Sequence, residues 1–205
     1  QSKPMAKVLI LFAHPLLETS RVHTALLNAV KGIKGVTIND LYEQYPDFDI
    51  DKEREKALLL EHDIIIWQHP FYWYSAPALL KQWQDLVLEH GWAYGKYGQA
   101  LAGKKVFNVF SSGGSSAAYE PGGRNQYPIQ LFLIPFERTA ALCRMQYWPP
   151  FWIAGVHKME ADVIQAHATR YQSLLQLLTK DALPYADIES LYLLNDFSTP
   201  TPKPL

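Results

Sequence analysis

A single cysteine, Cys143, stands in a chain of 205 residues. One thiol closes no internal disulfide, which excludes the disulfide-framed secreted domains and fits a reducing cytosol; its neighbours predict a buried filler in a helix. Long apolar runs are also missing. No stretch of about 18 or more apolar residues appears, so no segment reads as a membrane span, and without a signal-peptide pattern a cytoplasmic protein is expected. Charge of one sign is absent too: 19 Lys and Arg face 20 Asp and Glu, a net charge of −1 that gives the whole chain no pull on nucleic acid or anionic lipid. The histidines show no HExxH spacing and no serine sits in a GxSxG elbow, so neither a metal site nor seryl hydrolysis is expected.

What the chain does have is alternation. Apolar residues make up 48% of it, enough for one well-filled core, and strand-like and helix-like segments follow each other in turn. Residues 1–6 read as a flexible lead, 7–180 as one α/β domain and 181–205 as a C-terminal arm, on the surface or flexible, with no core period. Buried strands are expected at KVLILFA (7–13), VTINDL (36–41), DIIIW (63–67), KKVFNVFSS (104–112) and MQYWPPFWI (145–153). Between them, helices are expected after Thr19-Ser20, over 51–60, from Pro77, over 129–142 with a break at Pro135, and over 160–180.

The stretch 63–97 organises the rest. Its apolar strand ends at His69-Pro70 and passes into Phe71, Tyr72, Trp73 and Tyr74 before the helix at Pro77 begins. Consecutive aromatics in one loop suit either packing against neighbouring loops or a second subunit, or the face of a flat ligand. A doubly wound five-stranded parallel sheet of order 2-1-3-4-5, with helices on both faces, places its switch point between the first and third strands. Three loops then meet there. Thr19 and Ser20 with the free amides of a helix start suit a phosphate; the aromatics supply a flat wall; Ser111 to Ser115, with Gly113 and Gly114, let backbone amides approach a ring edge. Phosphate, planar ring and close backbone together describe flavin mononucleotide.

Several blocks in order make the sequence resemble a known family: VLILFAHP (8–15), LYEQYPDFDID (41–51), WQHPFYWYSAPALLKQW (67–83), HGWAYG (90–95) and PFERTAALCRM (135–145). They resemble the flavodoxin-like NAD(P)H:quinone oxidoreductases, most closely the ancillary flavoprotein subunits of bacterial glutathione-regulated potassium efflux systems. The resemblance implies FMN, with FAD as the alternative, and NAD(P)H as co-substrate. It implies flavin contacts from His14, Ser20, Arg21, Val22 and His23, from Phe71, Tyr72, Trp73 and Tyr74, and from Ser112, Gly113, Gly114 and Ser115, where relatives carry Thr-Thr-Gly-Gly. A substrate-binding tyrosine matches Tyr119. The histidine that accompanies it in relatives falls near Asn125, which offers no imidazolium proton. The implied activity is two-electron transfer from a nicotinamide through the flavin to a quinone, by a homodimer to which the stretch 148–152 and the loop 115–127 contribute. The alternative is a regulatory subunit with little turnover, docked at the inner membrane on a potassium efflux antiporter.

Overall fold

The computed structural model describes residues 5–183 and 188–197; what was expected of residues 1–4, 184–187 and 198–205 lies outside these. Strand β1 (Val8–Phe12) is buried at every position. It lies between β2 (Val36–Asp40) and β3 (Ile64–Pro70), and β4 (Lys105–Ser112) pairs the far side of β3, all parallel. The sheet therefore runs 2-1-3-4 and closes on a fifth position, in the expected order.

That fifth position is divided. Val106 pairs Tyr147 of β5 (Gln146–Tyr147), whereas Val109 pairs Phe151 of β6 (Phe151–Ala154). Two residues of β4, Phe107 and Asn108, thus face three, Trp148, Pro149 and Pro150: a one-residue bulge at two prolines that cannot donate to the ladder. The same stretch was expected to contact a second subunit. Instead Trp148, Phe151 and Trp152 are buried in the chain's own core.

Alternation along the strands sends side chains to opposite faces. Val8, Ile10 and Phe12 pack under α1 (Arg21–Val30) and α7 (Ala161–Thr179). Leu9, Leu11, Ile65 and Trp67 pack under α3 (Lys52–Glu61), α4 (Ala78–Val87) and α6 (Ile134–Leu142). Two short helices, α2 (Leu41–Gln44) and α5 (Ile129–Phe132), complete the second layer, and α5 stops just before Pro135 restarts the chain as α6. A fully buried carboxylate, Glu55, ties that layer to the sheet. It accepts from Asn39 and Trp83 at 2.8 Å and from Tyr45 and Arg54 at 2.6 Å.

Of the C-terminal arm, residues 188–197 pack on the fold, with Ile188, Leu194 and Phe197 buried. Asn195 lies along the outer edge of β6. Its Oδ1 accepts from the Trp152 amide at 2.8 Å and its Nδ2 donates to the Trp152 carbonyl at 2.9 Å.

Candidate functional site

The carboxyl ends of β1, β3 and β4 surround a cavity of about 410 Å³. Its first wall is the turn into α1. Ser20 caps that helix, its Oγ accepting from the His23 amide at 3.2 Å, and both Ser20 and Thr19 line the space. The amides of Arg21 and Val22, in the first turn, have no partner within the helix and carry the positive end of its dipole. The Arg21 side chain turns away and donates to the Met159 carbonyl at 2.6 Å. His14 closes this wall. Its Nδ1 accepts from the Leu16 amide at 3.1 Å, and burial lowers its pKa against the opposing pull of Glu18, which leaves a neutral ring with its proton on Nε2.

The second wall is Pro70, Phe71 and Tyr72. Phe71 is held by ring contacts with Phe110 at 5.5 Å and Tyr119 at 5.8 Å. Beyond it Tyr72 and Ser75 pair across a tight turn whose central residues, Trp73 and Tyr74, both sit at positive φ, 48° and 62°. Left-handed backbone at two aromatics is costly and persists where surroundings or function hold it. The turn lifts Trp73 to 90% exposure, so it lines no part of the larger cavity.

The third wall is the end of β4. Strand alternation separates the two serines. Ser111 faces the cavity, while Ser112 faces inward, donating to the Gly114 carbonyl and accepting from Trp152 Nε1, both at 2.9 Å. A Cβ on Gly113 would stand 2.4 Å from Nε2 of the exposed His157 ring, which would have to swing aside. His157 itself lines the cavity, with Val156, and sequence reasoning gave it no role. Gly155, at positive φ, bonds its amide to the Gly114 carbonyl at 2.9 Å and so returns the chain to the end of β4, a contact that nothing local in the sequence marks. His23 stands behind this wall, fully buried, rather than in it.

A second, smaller cavity of about 250 Å³ adjoins the first through Phe71. Trp73, Tyr74, Gly114, Tyr119, Arg124 and Asn125 line it, so both residues expected to meet substrate are there together. Tyr119 is mostly buried under Gly114, and burial raises its pKa, so the phenol stays protonated. Asn125 Oδ1 accepts from the Tyr74 hydroxyl at 3.3 Å. Ser115 precedes the short turn Ser116–Tyr119 without a side-chain cap bond and lines neither cavity.

A family model described as the flavodoxin-like fold matches residues 6–175. The chain belongs to that family. Over 170 residues it is 45% identical to the glutathione-regulated potassium-efflux system ancillary protein KefG of Serratia proteamaculans (strain 568), covering 83% of this chain and 93% of that one. General stress protein 14 of Treponema denticola, solved in complex with FMN, superposes with a TM-score of 0.80 at 38% identity over 84% of this chain and 99% of that one. An NADPH-quinone reductase from P. pentosaceus superposes with a TM-score of 0.75 at 35% identity, over 82% and 96% of the two chains.

The residues of the larger cavity fit FMN. Unpaired helix amides with the Ser20 hydroxyl suit a phosphate dianion, Phe71 and Tyr72 form a flat apolar wall, and Ser111 and Gly113 supply small polar edges. Its volume lies within the range of roughly 300–1,000 Å³ usual for small-molecule and cofactor sites. Among the described residues, no cluster of His, Cys, Asp and Glu could hold a metal ion, and no helix is long and apolar enough to cross a membrane.

Proposed function

We propose that the chain is an FMN-dependent NAD(P)H:quinone oxidoreductase. One observation carries the reading: a single cavity joins a helix N-terminus, an aromatic wall and a glycine at a strand end, the three chemistries a flavin mononucleotide needs. Similarity to proteins called an NADPH-quinone reductase and an FMN complex supports it. When bound, FMN accepts a hydride from a nicotinamide and returns two electrons, with two protons overall, to a quinone.

The protein's share is binding and orientation. The amides of Arg21 and Val22 and the Ser20 hydroxyl hold the phosphate; neutral His14 adds a donor without adding charge. Phe71 and Tyr72 fix the plane of the ring. The smaller cavity receives nicotinamide and quinone in turn, with the protonated Tyr119 hydroxyl and the Asn125 amide as donors to a quinone oxygen. A homodimer that covers the exposed Trp73 would shield that face from water.

The visible spectrum of the purified protein tests the cofactor, and oxidation of NADPH and of NADH with menadione tests the turnover. A flavin spectrum with acceptor-dependent turnover is the expected result; absence of FMN binding sinks the assignment. A second reading has its own support in the similarity to KefG: a cytoplasmic regulatory subunit docked on a potassium efflux antiporter at the inner membrane. Flavin binding without turnover, together with activation of such an antiporter, would favour it.

A further inference from the structure

Behind the inner wall of the larger cavity, four buried polar side chains from four separate elements form a row: Tyr171 of α7, Gln68 of β3, His23 of α1 and Ser111 of β4. The first three have no exposure and Ser111 has 6%. The Tyr171 hydroxyl donates to Gln68 Oε1 at 3.0 Å, Gln68 Nε2 lies 3.3 Å from His23 Nδ1, and His23 Nε2 lies 3.0 Å from Ser111 Oγ.

The far end sets the direction. Burial holds the Tyr171 phenol above its ordinary range, so it keeps its proton, and a buried phenol proton requires an acceptor. Gln68 Oε1 is that acceptor, which turns the amide's Nε2 towards His23. Nδ1 of the ring must then accept, and the proton sits on Nε2, pointing at Ser111 Oγ. Burial first, then His14 and His69 nearby, depress the His23 pKa well below its usual value, so the ring stays neutral. Ser111, already accepting, has its own proton left to give, and it faces the cavity. In a row of this kind each donor polarises the next.

We infer that Tyr171, Gln68 and His23 are positioning residues that make a one-way chain of donors, presenting the Ser111 hydroxyl proton to the polar edge of the flavin and favouring its reduced form. The inference rests on the proposed FMN site and adds to it. A hydroxyl that donates gains strength as electron density accumulates on the ring, whereas one turned inward would offer only lone pairs and repel it.

The test is made on the protein loaded with FMN, by measuring dissociation constants for oxidised and reduced flavin. Ser111→Ala is expected to lose about tenfold of the preference for reduced flavin, or about 30 mV for a two-electron couple. Tyr171→Phe frees the amide to turn and gives a smaller loss in the same direction. Combined with Ser111→Ala it adds nothing further, because both act through one hydroxyl. Nitrogen NMR of the His23 ring in the unaltered protein supplies a readout independent of any variant's folding, with the Nε2–H tautomer expected. The Nδ1–H tautomer, or an unchanged preference in FMN-loaded Ser111→Ala, overturns the chain and leaves the FMN site standing. Failure of the unaltered protein to bind FMN overturns both.

Discussion

Single residues in this fold divide into those whose role follows from neighbours in sequence and those whose role depends on distant ones. Ser20 is of the first kind: a hydroxyl residue just before a helical period is a cap, and it is one. Ser111 and Ser112 are of the second. Both are small and polar at a strand end, and only the parity of the strand, set by its pairing with β3, decides which of them faces the cavity. Glu55 was the least legible. It sits in a charged helix whose sequence shows no apolar face, yet it is fully buried and accepts from four donors. Replacing Glu55 by alanine leaves the Trp83, Asn39 and Tyr45 donors buried without partners. The expected cost is about 3 kcal/mol or more in urea unfolding, with Glu55→Gln costing less because its amide oxygen still accepts.

At the scale of elements, order was legible and interruptions were not. Uninterrupted apolar runs identified β1 and the first half of β3 because a strand covered on both faces shows no polar side. The bulge at Trp148–Pro150 was hidden, since nothing local in two adjacent prolines says whether a strand ends there or resumes one residue out of step. The loop 115–127 was expected to contribute to a homodimer; its construction is a matter of backbone contact. A Cβ on Gly123 would stand 2.3 Å from the Ala117 carbonyl oxygen and 2.9 Å from that of Ala118, and the Asn125 amide donates to the latter at 2.8 Å. Gly123→Ala must therefore shift the segment that carries Tyr119 and Asn125. We expect a loss of about 1–3 kcal/mol in stability and a fall in quinone turnover with FMN still bound, read from the flavin spectrum and menadione kinetics on one sample.

For the whole molecule, buried histidines couple folding to pH. Burial holds His69 at a pKa of about 4 against an ordinary value of 6.5, and it depresses His23 too. Between those values the unfolded chain binds protons that the native state refuses, so stability is full above about pH 6.5 and falls as pH drops towards 4. The loss from His69 alone is about 3 kcal/mol, from about 1.4 kcal/mol per pKa unit. Urea midpoints across this range should show the decline, and His69→Gln should flatten part of it. A different whole-molecule property follows from Asn195. Its side-chain amide occupies the outward amide and carbonyl of Trp152, the groups that a foreign strand would use to extend the sheet. One asparagine therefore acts as a surrogate neighbour, ending the sheet where open ladder groups would otherwise invite growth from chain to chain. Asn195→Ala is expected to leave the fold and the flavin site intact yet make light scattering rise with protein concentration and time. Protection of this edge thus rests on a two-bond contact from a segment that lines neither cavity of the site.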